Sequence, residues 1–310
     1  MTKDSKPYLV TSSTGVVGEH LTHLLLSRGH SVRALIHRED ERSERLGAAG
    51  AALVKGDFLK VDDMVRAAEG VRSVYFSYPI VDGLVEATAN IAQASLECGV
   101  EGVVNMSQKP ARRDAPSHSS REHWISERLL DQFPFHVAHL RPTLFAEWAI
   151  TFFGADDVLR LPLETAVHAP ITGEDQAYVA ASIMESPADH SGEIYPLYGP
   201  TELNFHEIAE AISRALGRTV KYEPITLEAF AAGMAQEGFP PHITQHLMSI
   251  CVDYRNGVFA GTNDVVERVG RTTPTGVEEF VASNKRFFDG DKWSYWSFAR
   301  TADRDAQAPV

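Results

Sequence analysis

Residues 11–18 (T-S-S-T-G-V-V-G) constrain this chain more than any other stretch. They lie between a short apolar run, Tyr8-Leu9-Val10, and an amphipathic stretch over 16–28. A strand, a tight turn and a helix start in that order leave free backbone N–H groups pointing at one spot. The helix dipole favours negative charge there. The loop is therefore a candidate cradle for the pyrophosphate of a dinucleotide. The usual glycine pattern of such loops is G-x-G-x-x-G or G-x-x-G-x-x-G. Gly15 and Gly18 keep its last two glycines, and Ser12 stands where the first is expected. A serine there carries a Cβ into a turn that glycine negotiates freely.

Beyond the loop, strand and helix signals alternate. Strands are expected over 8–10, 31–37, 51–54, 71–77, 102–107 and 135–141, with helices over 16–28, 62–69, 85–98 and 119–131. Such alternation implies an α/β fold, a doubly wound parallel sheet of the Rossmann type covered by helices on both faces. Ligands then lie at the carboxyl ends of the strands. Residues 1–150 read as a dinucleotide-binding domain, joined by a strand returning near 192–198. Residues 151–290 read as a smaller, mainly helical substrate-binding lobe, with helices over 175–185, 227–237, 241–254, 263–269 and 276–288. One more helix runs from an Asn204 cap, with Glu207 at capping-box spacing, to Gly217. Residues 291–310, with Trp293 and Trp296, form a tail.

The end of the second strand tests the cofactor. An acidic residue there binds a ribose 2′-hydroxyl, whereas arginine accommodates a 2′-phosphate. His37 and Arg38 come first, and Glu39 and Asp40 only later. NADP(H) is therefore expected over NAD(H). A net charge of −13 argues against nucleic acid or an anionic membrane as partner. No apolar run reaches the length of a membrane span. Two cysteines, Cys98 and Cys251, give no disulfide framework and fit a reducing, cytoplasmic setting. His20 and His23, and His242 and His246, have helical spacing, but no adjacent Glu, Asp or Cys completes a metal site. No metal is expected, and these four read as surface or packing residues.

Several stretches together resemble the NmrA-like branch of the atypical short-chain dehydrogenase/reductases. They are the loop at 11–18, V-R-A-L-I-H-R at 32–38, G-D-F at 56–58, H-W-I-S-E-R-L at 123–129 and H-L-R-P-T at 139–143. The stretch N-F-H-E-I at 204–208, then Gly217, Val220, Tyr222 and Pro224, is similar to that family's second lobe. The resemblance runs from about Tyr8 to Phe288. It implies that Thr11, Ser13, Thr14, Gly15, Val16 and Val17 hold the pyrophosphate, and that Arg38 and His37 hold the 2′-phosphate. Asp57 and Phe58 would lie beside adenine. Ser77, Tyr78 and Pro79 would lie near the nicotinamide ribose, and Ser107 and Gln108 near the nicotinamide. Trp124, Phe145, Trp148 and Phe152 are candidate walls of the substrate pocket.

The chain departs from the family where catalysis is expected. Those enzymes use a tyrosine to protonate the substrate, a lysine four residues later, and in many extended members a glutamate four beyond that. Glu127 matches the glutamate, which puts His123 at the lysine place and Ser119 at the tyrosine place. His123 is then a ribose ligand or proton donor, with Tyr78 as the nearest substitute phenol and Ser107 beside them. In the alternative, this helix packs on the sheet through Trp124, Ile125, Leu129 and Leu130, His123 is a satisfied polar neighbour, and Glu127 is a helix-surface or capping residue. Three functions fit these residues. The first is an NADPH-dependent oxidoreductase moving hydride to a small or medium apolar carbonyl, enone, quinone or imine, as a monomer or homodimer. The second is a non-catalytic NADP(H)-binding redox sensor that reports to a protein partner. The third is a non-redox cyclase, lyase or epimerase on the same fold.

Overall fold

The computed structural model of this protein describes residues 6–291. Its first half runs β1 (Tyr8–Val10), α1 (Val16–Ser27), β2 (Val32–Ile36), α2 (Glu41–Ala48), β3 (Ala52–Lys55), α3 (Val61–Ala68), β4 (Ser73–Phe76), α4 (Leu84–Glu97), β5 (Gly102–Met106), α5 (His118–Leu130) and β6 (His136–Pro142). The second half adds α6 (Trp148–Thr151), β7 (Val158–Leu159), α7 (Gly173–Glu185), β8 (Glu193–Leu197), α8 (Phe205–Leu216), β9 (Lys221–Tyr222) and α9 (Leu227–Gln236). It ends in α10 (Pro241–Arg255), α11 (Val265–Arg268), α12 (Val277–Ser283) and α13 (Lys285–Phe288).

Seven strands form one sheet in the order β3-β2-β1-β4-β5-β6-β8, every pair parallel. β4 (SVYF) and β5 (GVVNM) are buried along their whole length. Such continuous runs belong to a sheet covered on both faces. Met64, Phe76, Ile91 and Leu130 build the core under α3, α4 and α5. Leu21, Leu25, Val104, Ile183 and Val266 build the other, under α1, α7 and α11. The strand order reverses between β1 and β4, which opens a crevice at their carboxyl ends. The returning strand is β8, with Ala138 opposite Glu193 and Pro142 opposite Leu197.

A third core, with Trp148, Leu159, Phe205, Ile212, Leu247, Tyr254 and Phe280, holds the lobe together. The lobe and the sheet are interleaved along the chain: α7 and α11 come from the second half yet pack on the sheet.

Several details differ from the sequence reading. Helix α2 was not foreseen, because four of its first five residues are charged and it buries only Ser43 and Leu46. Asp40 starts it with a capping box to Ser43. The helix expected over 276–288 is two, broken at Asn284 (φ −114°, ψ 18°). The one expected over 263–269 is a single turn, α11. Trp293 and Trp296 lie outside the described residues.

Candidate functional site

The turn between β1 and α1 opens at the crevice. Ser12 takes a left-handed backbone (φ 45°), the conformation the absent glycine would have supplied. A Cβ on Gly18 would overlap Ser12 O and come within 2.8 Å of the Ser13 Cα, so only glycine fits. Gly15 is exposed and forms the N-cap of α1, with no side-chain hydrogen bond capping the helix start. Uncapped helix donors behind a bare glycine are what a pyrophosphate requires. The residues present therefore fit a dinucleotide.

The hydroxyls of the loop face inward. Thr11 Oγ1 donates to Ser77 O at 3.2 Å and accepts from Ser77 N at 2.9 Å. Ser12 Oγ donates to Ser77 O at 2.7 Å, and Ser13 Oγ to Leu35 O at 2.9 Å. These bonds tie the turn to the ends of β4 and β2. Thr11 and Ser13 therefore have backbone, not hydroxyl, to offer a ligand. Thr14 and Val16 are half-buried at the mouth, and Val17 is in the core.

Beyond β2 and β3 lies a cavity of about 460 Å³ lined by His37, Lys55, Gly56, Asp57, Lys60, Asp63 and Arg66. Asp57 N donates to Asp63 Oδ2 at 2.9 Å, and Leu59 N donates to Asp57 Oδ1 at 3.0 Å. Phe58 meets Tyr78 edge-on at 5.3 Å. Arg38 is not part of that lining. Its Nε is 3.8 Å from the Asp40 Oδ2, which Arg42 holds at 2.7 Å. Lys55 and Lys60 were overlooked in the sequence, although both flank the G-D-F stretch.

At the centre, Glu127 is fully buried, not on the helix surface. Ser107 Oγ donates to its Oε1 at 2.6 Å, Arg141 Nε donates to the same oxygen at 2.8 Å, and Arg141 Nη2 donates to Oε2 at 2.5 Å. The buried face of α5 is Ser120, His123, Ser126, Glu127 and Leu130. Of the residues expected to pack on the sheet, Leu130 is in the core, Trp124 and Leu129 are half-buried and Ile125 is 44% exposed. One turn before Glu127, His123 is buried with no partner for Nδ1 among the described residues. It is not the satisfied neighbour of the alternative reading. Burial first, then His246 and Arg141, lower its pKa to about 3. The ring is therefore neutral.

Tyr78 is no activated phenol. Its hydroxyl donates to Asp82 O at 2.9 Å. Burial, then the carboxylates of Asp57 and Asp82, push its pKa up to about 12. Ser77 and Pro79 are half-buried beside it.

Glu147 was missed altogether. Its Oε1 accepts from Gly173 N at 2.9 Å, and Oε2 has no partner among the described residues. Burial pushes its pKa up to about 7. A Cβ on Gly173 would overlap the Val16 side chain, so the starts of α1 and α7 touch beside Glu147. Of the expected pocket walls, Trp148 is 7% exposed inside the lobe core, its ring 5.4 Å from that of Phe152. Phe145 packs between the lobe core and the sheet core. Among the described residues no group of three His, Cys, Asp or Glu could hold a metal ion. No described helix is long and apolar enough to cross a membrane.

A doubly wound sheet with an uncapped glycine turn at its switch point defines a dinucleotide-binding α/β protein. The chain belongs to the NmrA-like family, whose profile matches residues 4–281. It is 27% identical over 276 residues to the NAD(P)H azoreductase of Xenophilus azovorans, covering 87% of this chain and 95% of that protein. The NADPH-dependent quinone oxidoreductase of Escherichia coli, solved with NADPH, superposes with a TM-score of 0.78 at 20% identity, covering 90% of this chain and 99% of that one. NmrA, a negative transcriptional regulator solved with NADP, superposes with a TM-score of 0.72 at 16% identity, covering 99% of both chains. At these identities the two solved structures establish the fold alone.

Proposed function

We propose that this protein is an NADPH-dependent reductase of a small or medium apolar electrophile. The observation that carries it is the uncapped glycine turn that opens at the crevice, with a buried His123 on α5 whose Nδ1 has no partner among the described residues. The reductase names of its relatives support the same reading. Bound NADPH supplies the hydride. The N–H groups at the start of α1 hold the pyrophosphate. His37, Lys55 and Lys60 face the 2′-phosphate, with Arg38 swinging in from Asp40. The His123 ring would take a hydroxyl of the nicotinamide ribose, and Ser107 is held by Glu127 one turn further along α5.

The acids here narrow the substrate. Tyr78 keeps its proton and His123 is neutral, so neither delivers a proton quickly at neutral pH. A simple ketone would leave a strongly basic alkoxide after hydride arrives. A quinone or enone leaves a delocalised anion that water protonates at leisure. Quinones and enones are therefore the preferred class, ahead of ketones.

Calorimetric titration with NADPH, NADP, NADH and NAD, followed by NADPH absorbance decay against quinones, enones, imines and ketones, tests this. Turnover with quinones exceeding that with ketones is expected. Arg38→Ala should weaken NADPH about tenfold or more and NADH far less, since a charged hydrogen bond is worth roughly 1.5–3 kcal/mol. Equal losses would remove the phosphate argument. A second reading, a redox sensor, draws on the unactivated Tyr78 phenol. Tight NADPH binding without turnover on any acceptor would favour it.

A further inference from the structure

Helix α10 turns one polar stripe toward the nucleotide-binding half. His242, His246, Ser249 and Asp253 recur at the spacing of a single helix face. The neighbouring face, with Ile243, Leu247, Ile250 and Tyr254, is in the lobe core. The stripe is fastened to the segment between β5 and α5. Arg112 donates to both carboxylate oxygens of Asp253, at 2.9 and 2.6 Å. Gln245, beside the stripe, donates to Pro116 O and accepts from His118 N. Ser117 Oγ lies 2.8 Å from His246 Nδ1.

That last contact sets a tautomer. Ser117 is the N-cap of α5, and its Oγ accepts the Ser120 N–H at 3.2 Å. Its own proton is left to donate to His246 Nδ1. The ring, buried at 4% exposure, then carries its one proton on Nε2, which points away from Ser117. His246 stands near His123 across the contact between α10 and α5. His123 Nδ1 in turn has no partner among the described residues.

We infer that His246 is a second imidazole of the active site, whose Nε2–H donates a hydrogen bond to the substrate oxygen that gains negative charge during reduction. This rests on the reductase reading above. The hydride pair forms the new bond on the substrate, and the displaced π pair settles on oxygen. The Nε2–H···O bond tightens, and a proton from water completes the product. A neutral imidazole suits that work because it stabilises charge without surrendering its proton. His123 and His246 thus divide what a tyrosine–lysine pair does elsewhere: one holds the cofactor, the other polarises the substrate.

The first test needs no turnover. In the wild-type protein, nitrogen-15 NMR should show His246 as the Nε2–H tautomer, and Ser117→Ala should loosen that preference. An Nδ1–H tautomer in the wild type overturns the proposal. The second test uses two substitutions. His246→Asn keeps a polar group toward Ser117 and removes the Nε2 end. His246→Gln returns an amide donor near the Nε2 position. NADPH affinity, read by calorimetry, should stay within about twofold in both. For a benzoquinone, kcat/KM should fall about 100-fold in His246→Asn, the scale of a lost oxyanion donor, and recover about tenfold in His246→Gln. Wild-type kcat/KM in His246→Asn overturns the proposal. If the wild-type protein binds NADPH but reduces nothing, the reductase reading has failed. Titration with the same quinone then decides for the pocket: equal quinone affinity in wild type and His246→Asn overturns the role of His246, and weaker affinity in the variant sustains it as a ligand donor.

Discussion

Ser12 shows how much one Cβ weighs. A left-handed backbone costs a non-glycine residue roughly 1–2 kcal/mol. The Ser12 hydroxyl offsets about 1 kcal/mol of that through its 2.7 Å bond to Ser77 O. Ser12→Ala keeps the strain and loses the bond, so it should destabilise by about 1 kcal/mol and lower Tm by about 2 °C. Ser12→Gly loses both and should melt close to wild type. Equal losses for the two, read by calorimetric melting, would mean the backbone there is unstrained. The missing glycine was legible from spacing alone. The compensating bond was not, because Ser77 is 65 residues away. Side-chain environment was equally hidden at Tyr78. Nothing near it in sequence announces that Asp57 will stand beside its phenol.

At the scale of elements, one clamp holds the centre of the site. Glu127 on α5 binds Ser107 after β5 and Arg141 on β6. Removing one partner of a buried ion pair leaves an uncompensated charge, at a cost of about 3–5 kcal/mol. Arg141→Met should therefore destabilise by about 3 kcal/mol, and Ser107→Ala by about 1 kcal/mol. Urea unfolding of the two variants measures both. An Arg141→Met protein as stable as wild type would mean that the Arg141–Glu127 pair does not hold these elements together. The strands and long helices were readable because period and punctuation agree: Gly29, Gly70 and Gly99 each follow a helix in a left-handed turn. Helix α2 was not readable, since R-E-D-E-R-S-E-R carries almost no apolar period and only its Asp40–Ser43 box marks it. The α10 stripe lay between these cases. The spacing of His242 and His246 was visible, and His246 is a buried packing residue, but its partner Ser117 was not legible. That partner is 129 residues earlier and meets His246 only through the tertiary fold.

At the scale of the whole molecule, the lobe and the sheet close over several neutral imidazoles, and this makes the fold sensitive to acid. Burial lowers His123 and His168 to about 3 and His246 to about 4, against 6.5 when unfolded. Below about pH 6.5 the unfolded chain takes up protons that the folded chain refuses. This stability is present above about pH 6.5 and is lost as pH falls toward those folded values. Glu147 opposes it. Its folded pKa of about 7 exceeds the ordinary 4.5, so its contribution is full below 4.5 and lost as pH rises through about 7. Three imidazoles outweigh one carboxyl. The urea midpoint should therefore rise from about pH 5 to about pH 7, each imidazole contributing on the order of 1 kcal/mol per pH unit. His168 gives a handle that has no role in the proposed site. It is in the lobe, stacked on Phe205 at 5.7 Å with Nδ1 2.8 Å from the Tyr254 hydroxyl. His168→Asn should lower absolute stability and flatten the pH slope by about one proton. A wild-type midpoint that stays level, or rises toward acid, would mean that the buried imidazoles are charged in the folded protein.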